Sequence, residues 1–243
     1  AGWTGESRMS LIIAMLMLGI IIMIHEFGHF LFAKLNGIGV IEFSLGMGPR
    51  LFSFEKGGTR YSFKILPFGG SCMMLGEDEG ITDESAFNNK SVWARISVVA
   101  AGPVFNFILA FGLSMVLIGI TGYDTTRLAG VVDGYPAQAA GMEAGDVIKS
   151  INGRKVHSYR DINWYLFTHP QKSLKVTWER TEEGGGTERF STELEPVFSA
   201  ENNQYMMGVQ FNPVPSTVEN IGQLLVHSVY EVQYWIHYVF DTF

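Results

Sequence analysis

Three side chains stand out for chemistry because they follow one another so closely: His25, Glu26 and His29, in the run His25-Glu26-Phe27-Gly28-His29. Two histidines four positions apart lie one turn apart on the same side of an α-helix, so their imidazoles can share one metal ion. A pair of nitrogen donors of this kind suits zinc, Zn2+. The carboxylate beside the first histidine is placed to take a proton from water activated by that metal, whose pKa falls towards about 7, for attack on a carbonyl carbon. On spacing alone the same five-residue pattern also arises by chance in soluble proteins, so its setting decides how it is read.

That setting is a long apolar segment. Met9 to Ala33, at about 1.5 Å per helical residue, is long enough to cross a hydrocarbon core of about 30 Å. Three ionisable residues in such a helix cost several kcal/mol to insert, and residues kept there at that cost mark function. They sit in its final third, next to Lys34, at a depth that water reaches. The segment continues through Phe32 with no small-x-small cleavage site, so it reads as a retained span and not as a signal peptide. A second charge-free segment, Ile96 to Gly122, contains Gly102-Pro103 and the polar Asn106. Proline in a membrane helix is tolerated where neighbouring helices satisfy the freed carbonyl, so the kink is expected to face protein. Asn106 either packs near the metal pair or only bonds a neighbouring helix.

Composition agrees. Of 243 residues 47% are hydrophobic, bunched into these segments, and the net charge is −7. A phosphate-binding surface needs clustered Lys and Arg, so nucleic acid is excluded as a partner. The single cysteine, Cys72, cannot form an intrachain disulfide.

Between the spans, Arg60 to Ile65 alternates polar with apolar, Leu51 to Phe54 offers a partner strand, and 55–59 supplies a glycine-containing connection. The acidic stretch 77–84 reads as a solvated loop. From about residue 127 to 212 charge is spread evenly and turns recur, which indicates a soluble domain of mixed α and β structure. In the tail, Ile221, Leu225, Val229, Val232, Ile236 and Phe240 recur at helical spacing, with Glu219, Gln223, Glu231 and Asp241 opposite. This is an amphipathic helix for a membrane or protein surface. Lys34, Arg50, Lys56, Arg60, Lys64, Lys90 and Arg95 all fall between the spans, which places 36–93 in the cytoplasm and the soluble domain outside. His157, His169, His227 and His237 have no partner at ligand spacing and read as surface or core histidines.

The metal pair is followed by Phe43-Ser44-Leu45-Gly46-Met47-Gly48-Pro49, Leu66-Pro67-Phe68-Gly69-Gly70, Gly76-Glu77-Asp78-Glu79, Phe87-Asn88-Asn89-Lys90-Ser91, and 100–107 with Gly102-Pro103 and Asn106. In that order these resemble the bacterial site-2 proteases of the RseP and RasP type, zinc intramembrane metalloproteases. The stretches 130–137, 140–142, 145–148 and 151–153 resemble a bacterial PDZ domain. The resemblance implies a polytopic α-helical membrane protein with a membrane-associated β-hairpin and a mixed α/β PDZ-like extracytoplasmic domain. The divisions are 1–35 first transmembrane helix, 36–93 cytoplasmic-side loop with the hairpin, 94–122 second transmembrane helix, 123–214 PDZ-like domain, and 215–243 amphipathic helix.

It further implies an inner-membrane, multi-pass zinc endopeptidase of regulated intramembrane proteolysis. Its partners are the lipid bilayer and single-span membrane substrates such as anti-sigma factors, or signal-peptide remnants. His25 and His29 would be metal ligands and Glu26 the general base. Tyr61, Ser62, Phe63, Lys64 and Ile65 would offer a strand edge to an unwound substrate; the alternative is a surface loop over the site. Met207, Gly208 and Val209 would form a peptide-binding loop for a peptide C-terminus, or equally an ordinary internal strand. Ser71-Cys72-Met73 departs from the family's more usual aromatic and basic residues. The resemblance also implies a third ligand, an aspartate in an Asn-x-x-Pro-x-Pro-x-Leu-Asp-Gly motif on a later membrane helix. No such motif occurs, and Asp241 does not stand in one. The expectation is a fragment that is inactive by itself. Two other classes compete with the enzyme: a membrane adaptor, which has no use for a buried Glu26, and a soluble zincin, which has no use for two apolar spans.

Overall fold

The computed structural model describes residues 5–77, 82–170, 172–182 and 184–242. Asp78 and Glu79 of the acidic stretch, with the rest of 78–81, lie outside the described residues, as does Phe243 at the end of the tail. The chain divides into two compact units after residue 110.

The first unit starts with helix α1, Gly5–Leu35. Leu, Met, Ala and Ile favour the helix, no proline interrupts it, and Lys34 in its last turn complements the helix dipole. Helix α2, Val92–Thr121, continues through Pro103. Both are long and apolar enough to cross a membrane by length and composition. Their large side chains point outward: Leu11, Ile12, Leu16, Val99, Phe107 and Ile108 are all exposed. Hydrocarbon is the medium in which that surface costs nothing. A small core gathers where α1 ends, from Ala33, Ile38, Val40, Met74 and Val98.

Between the helices run β1, Val40–Lys56, and β2, Thr59–Met74. Both are far longer than the sequence pattern suggests, because each folds back on itself. Residues 59–64 pair with 50–56 in antiparallel register (Phe52 opposite Phe63, Phe54 opposite Tyr61), while 60–63 also pair with 42–45, the two runs rising together. Residues 42–45 pair on their other side with 70–73 (Leu45 opposite Gly70, Ser44 opposite Ser71). The result is a sheet of four segments in the order 50–56, 59–64, 42–45, 70–74. The bend in β1 requires glycine: Gly46 has φ 85°, and a Cβ there would run into the Leu66 carbonyl.

This layout corrects the expectation of a free strand edge for Tyr61 to Phe63. Tyr61, Ser62 and Phe63 have neighbours on both sides, Lys64 pairs with Arg50, and Ile65 lies where the pairing lapses. The free edges are 50–56 and 70–74. Two adjacent strands were legible in sequence, but the fold-back that buries one of them was not.

The second unit holds β3 (Leu128–Val131), α3 (Pro136–Ala139), β4 (Val147–Ile151), β5 (Arg154–Lys155), α4 (Tyr159–Thr168), β6 (Leu174–Thr181), β7 (Thr187–Leu194), β8 (Val197–Ser199), β9 (Gln204–Met206) and β10 (Val209–Phe211). An antiparallel sheet runs β5-β4-β6-β7, with β10 on β3 and β8 on β9. Ile148, Ile151, Ile162, Leu174 and Val176 are fully buried and form its core. Alternation along β6 puts Leu174, Val176 and Trp178 inward. A capping box starts α4: Asp161 N donates to Ser158 Oγ (3.3 Å), and Ser158 N donates to Asp161 Oδ2 (2.9 Å).

Helix α5, Ile221–Thr242, belongs to the same unit. Its polar side packs on the second unit. Glu231 is 8% exposed, pairs with Arg160, and accepts from Trp235 Nε1 at 2.9 Å. Arg160 also pairs with Asp124 at 3.2 Å, and Asp241 pairs with Arg154 at 2.8 Å. Ile221, Leu225, Val229, Val239 and Phe240 stay exposed. The charged partners Arg154 and Arg160 decide which face turns in, and nothing in the helix's own periodicity names them.

Candidate metal centre

Helix α1 presents His25 and His29 from successive turns, and their Nε2 atoms face each other at 3.1 Å. Two imidazoles held by one tetrahedral metal at about 2.0–2.1 Å each have nitrogens about 3.3–3.4 Å apart, so the pair needs only a small adjustment to fit zinc. The outer nitrogens are held from α2. His29 Nδ1 donates to the Val98 carbonyl at 2.7 Å, and His25 Nδ1 lies 3.1 Å from Asn106 Nδ2. Such outer partners set the tautomer and ring orientation of metal-ligating histidines. Val98 and Asn106 flank Pro103, whose missing N–H opens the helix one turn back. This stretch of α2 faces α1.

Gly102 completes the cradle. A Cβ built on it would stand 2.5 Å from His29 Nε2 and 2.7 Å from His25 Nε2. Only glycine leaves room where the two nitrogens converge. Spacing puts Gly102 and Asn106 on one face of α2, but only the packing of the two helices shows that this face meets His25 and His29.

Glu26 is half-buried on the same helix. Its Cγ lies 3.3 Å from the point a Cβ on Gly70 would occupy, so the carboxylate sits beside the free-edge segment 70–74. Cys72 on that segment feels it: burial first, then the Glu26 charge, pushes its thiol up to about 12. The thiol is thus inert at neutral pH. Among the described residues no third His, Cys, Asp or Glu joins the pair to make a fuller metal site. Asp241 is occupied with Arg154.

The second expected site lies elsewhere. Met207 is 1% exposed and belongs to the core, with its carbonyl accepting from Ala137 N and that of Gly208 accepting from Val132 N. Val209 starts β10. A cavity of about 30 Å³ lies between Asn163 and Leu166 of α4 and residues 204–209. The four remaining histidines form no metal-ligand group among the described residues, and three of them stack on tyrosines: His157 on Tyr230, His227 on Tyr123 and His169 on Tyr165.

Residues 13–239 match Peptidase family M50. The chain belongs to this family. The site-2 protease resemblance drawn from the order of its motifs is borne out. Proteins bearing the provisional name zinc metalloprotease are similar along most of the chain. One from Clostridium acetobutylicum is 37% identical over 215 residues, covering 88% of this chain and 62% of that protein. One from Clostridium perfringens is 36% identical over 217 residues, covering 88% and 63%. One from Fusobacterium nucleatum is 35% identical over 204 residues, covering 83% and 59%. The M50 chain thus spans about three fifths of the length of these relatives. The PDZ domain of an SdrC-like protein from Listeria monocytogenes aligns with 37% of this chain and 88% of its own at 21% identity, with a TM-score of 0.29 that carries no argument about the fold.

Proposed function

We propose that this M50 chain is the part of a zinc endopeptidase that cuts a peptide bond in or beside the membrane-spanning segment of its substrate. The observation that carries this reading is the convergence of His25 and His29 Nε2 at 3.1 Å over the gap left by Gly102, with Glu26 on the next position of the same helix. When bound, zinc supplies a Lewis acid that activates water and polarises a carbonyl. His25 and His29 hold it, and Val98 and Asn106 hold them. Glu26 takes the water's proton and later passes it to the leaving amine.

A membrane helix must unwind before its backbone reaches such a site. The edge segment 70–74, next to Glu26, offers unpaired backbone groups for strand addition, which holds an extended peptide with little side-chain selectivity. On this reading the substrate strand lies along Gly70 to Met74, since Tyr61 to Phe63 have neighbours on both sides. The substrates proposed are single-span membrane proteins, such as anti-sigma factors, or signal-peptide remnants. The protein is placed in the inner membrane, with 36–93 cytoplasmic and the β3–β10 unit, a PDZ-like module able to take a peptide C-terminus, outside. The positive residues between the two spans support that orientation.

The test is Glu26→Gln in the full-length protein, against a single-span substrate in detergent or vesicles. The amide keeps size and shape but accepts no proton. Cleavage is expected to fall by about 10²–10⁴-fold, the usual worth of a general base, with zinc content unchanged. Wild-type cleavage rates in the Gln variant would remove Glu26 from the reaction.

A further inference from the structure

His25 and His29 are held differently, and the difference is chemical. The partner of His29 Nδ1 is a backbone carbonyl, which only accepts. The proton of His29 is therefore fixed on Nδ1 and its lone pair on Nε2, the arrangement a metal ligand needs. His25 faces that lone pair with its own Nε2 at 3.1 Å. Two lone pairs at that distance repel, so in the hydrogen-bonded network His25 carries its proton on Nε2 and donates it to His29. His25 Nδ1 is then an acceptor, served by Asn106 Nδ2 at 3.1 Å. The network runs one way, from Asn106 through His25 and His29 to Val98.

That network leaves one group out. Asn106 Oδ1 is buried without a hydrogen-bond partner among the described residues, and an orphaned buried acceptor calls for an explanation. Ligation through His25 Nε2 requires the opposite tautomer, with the proton on Nδ1 facing an acceptor. Turning the Asn106 amide over about its terminal torsion exchanges Nδ2 for Oδ1 at the same place and supplies that acceptor.

We propose that Asn106 is a two-position partner of His25: it donates to Nδ1 when His25 is hydrogen-bonded to His29, and turns over to accept from Nδ1–H when His25 Nε2 ligates a metal. The proton leaves Nε2 and returns on Nδ1 through water, so His25 stays neutral and no net proton is released. His29 is permanently in its ligating form and His25 becomes so conditionally, which orders metal entry through His29 first. Asparagine suits this role because one uncharged side chain carries both a donor and an acceptor at the same reach. Aspartate offers acceptors only, and leucine offers neither. The inference rests on the zinc reading above, and Asn106 acts as a positioning residue.

The experiment compares wild type, Asn106→Asp and Asn106→Leu of the whole chain in detergent micelles. Zinc affinity is read by competition with a chromophoric chelator, and the protonated nitrogen of His25 by NMR of ¹⁵N-histidine-labelled protein. The Asp variant is expected to bind zinc at least as tightly as wild type, and the Leu variant about 10–100-fold more weakly, the usual cost of losing an outer partner of a ligand. In wild type the His25 proton should move from Nε2 to Nδ1 when zinc is added; in the Asp variant Nδ1 should carry a proton before zinc is added. Equal affinity for Leu and wild type, an Asp variant as weak as Leu, or an Nε2–H retained with zinc each overturns the proposal while leaving the metal site standing. Absence of zinc binding in wild type overturns both. If the Leu variant loses helical circular dichroism, the Asp-to-wild-type ratio and the wild-type NMR shift decide the matter.

Discussion

The two units of this M50 chain differ most in what they leave exposed. In the second, Ile148, Ile151, Leu174 and Val176 are sealed inside, as expected where water is the solvent. In the first, Leu11, Ile12, Leu16 and Val99 are exposed, whereas Ser44, Thr59 and Ser62 are buried and His25, Glu26 and His29 are partly so. Burial therefore has no single meaning along one chain. In the second unit it reports the hydrophobic effect; in the first, beside the small apolar core of Ala33, Ile38, Val40, Met74 and Val98, it also reports polar groups sheltered from hydrocarbon.

The sharpest way to break this contrast is to fill the polar interior of the first unit. Gly102→Ala puts a methyl group where the two imidazoles converge, and should weaken zinc binding by about 100-fold or more, beyond the usual cost of an outer-partner change. Zinc titration at unchanged helical content checks it. A variant that still binds at wild-type strength would place the metal away from that cradle.

Removing apolar bulk should hurt where it is buried and not where it is exposed. Leu174→Ala is expected to cost about 2–5 kcal/mol in its unfolding. Leu16→Ala, half-exposed on α1, should change unfolding in detergent by less than about 0.5 kcal/mol. Denaturant midpoints followed by Trp178 fluorescence and by helical circular dichroism separate the two. Comparable losses at both positions would mean that α1 packs against protein and not lipid.

The smallest effect expected is with pH. Burial holds His157 and His227 below the ordinary histidine value; at His157 the positive charge of Lys155, His237 and Lys149 adds to this against the pull of Asp161, and at His227 the charge of His157 adds to it. Their depressed pKa means that, as pH falls below about 6.5, the unfolded chain takes up protons before the folded one, so the docking of α5 through these stacks weakens. Asp124, raised by burial and by Glu231 against the pull of Arg160, works with the opposite sign in the acidic range above the ordinary aspartate value. The second unit should therefore melt at lower temperature at pH 5.5 than at 7.5, and His157→Asn with His227→Asn should flatten the difference. Met9 to Ile24 holds no titratable side chain, so that part of α1 supplies the pH-independent control.

Some of this was open to reading in the chain alone. Hydropathy and length specify α1 and α2, since any solvent-exposed alternative for Met9 to Ala33 is costly. Helical spacing alone puts His25 and His29 on one side, and motif order alone gives the family. Local rules also sufficed for Leu174 to Trp178 as strand and for the Gly57-Gly58 turn. What they left undecided depends on neighbours distant in sequence. The fold-back at Gly46 and Gly69 decides that Tyr61 to Phe63 lie inside a sheet and that Gly70 to Met74 form its edge beside Glu26. Arg154 and Arg160 decide that α5 turns its polar side inward, which its periodicity leaves open. The approach of α2 to α1 decides that Gly102 makes room, that Val98 fixes His29, and that Asn106 attends His25. Periodicity is set by bonds within one element and survives in one dimension, whereas these contacts join residues tens of positions apart and exist only once the chain has closed.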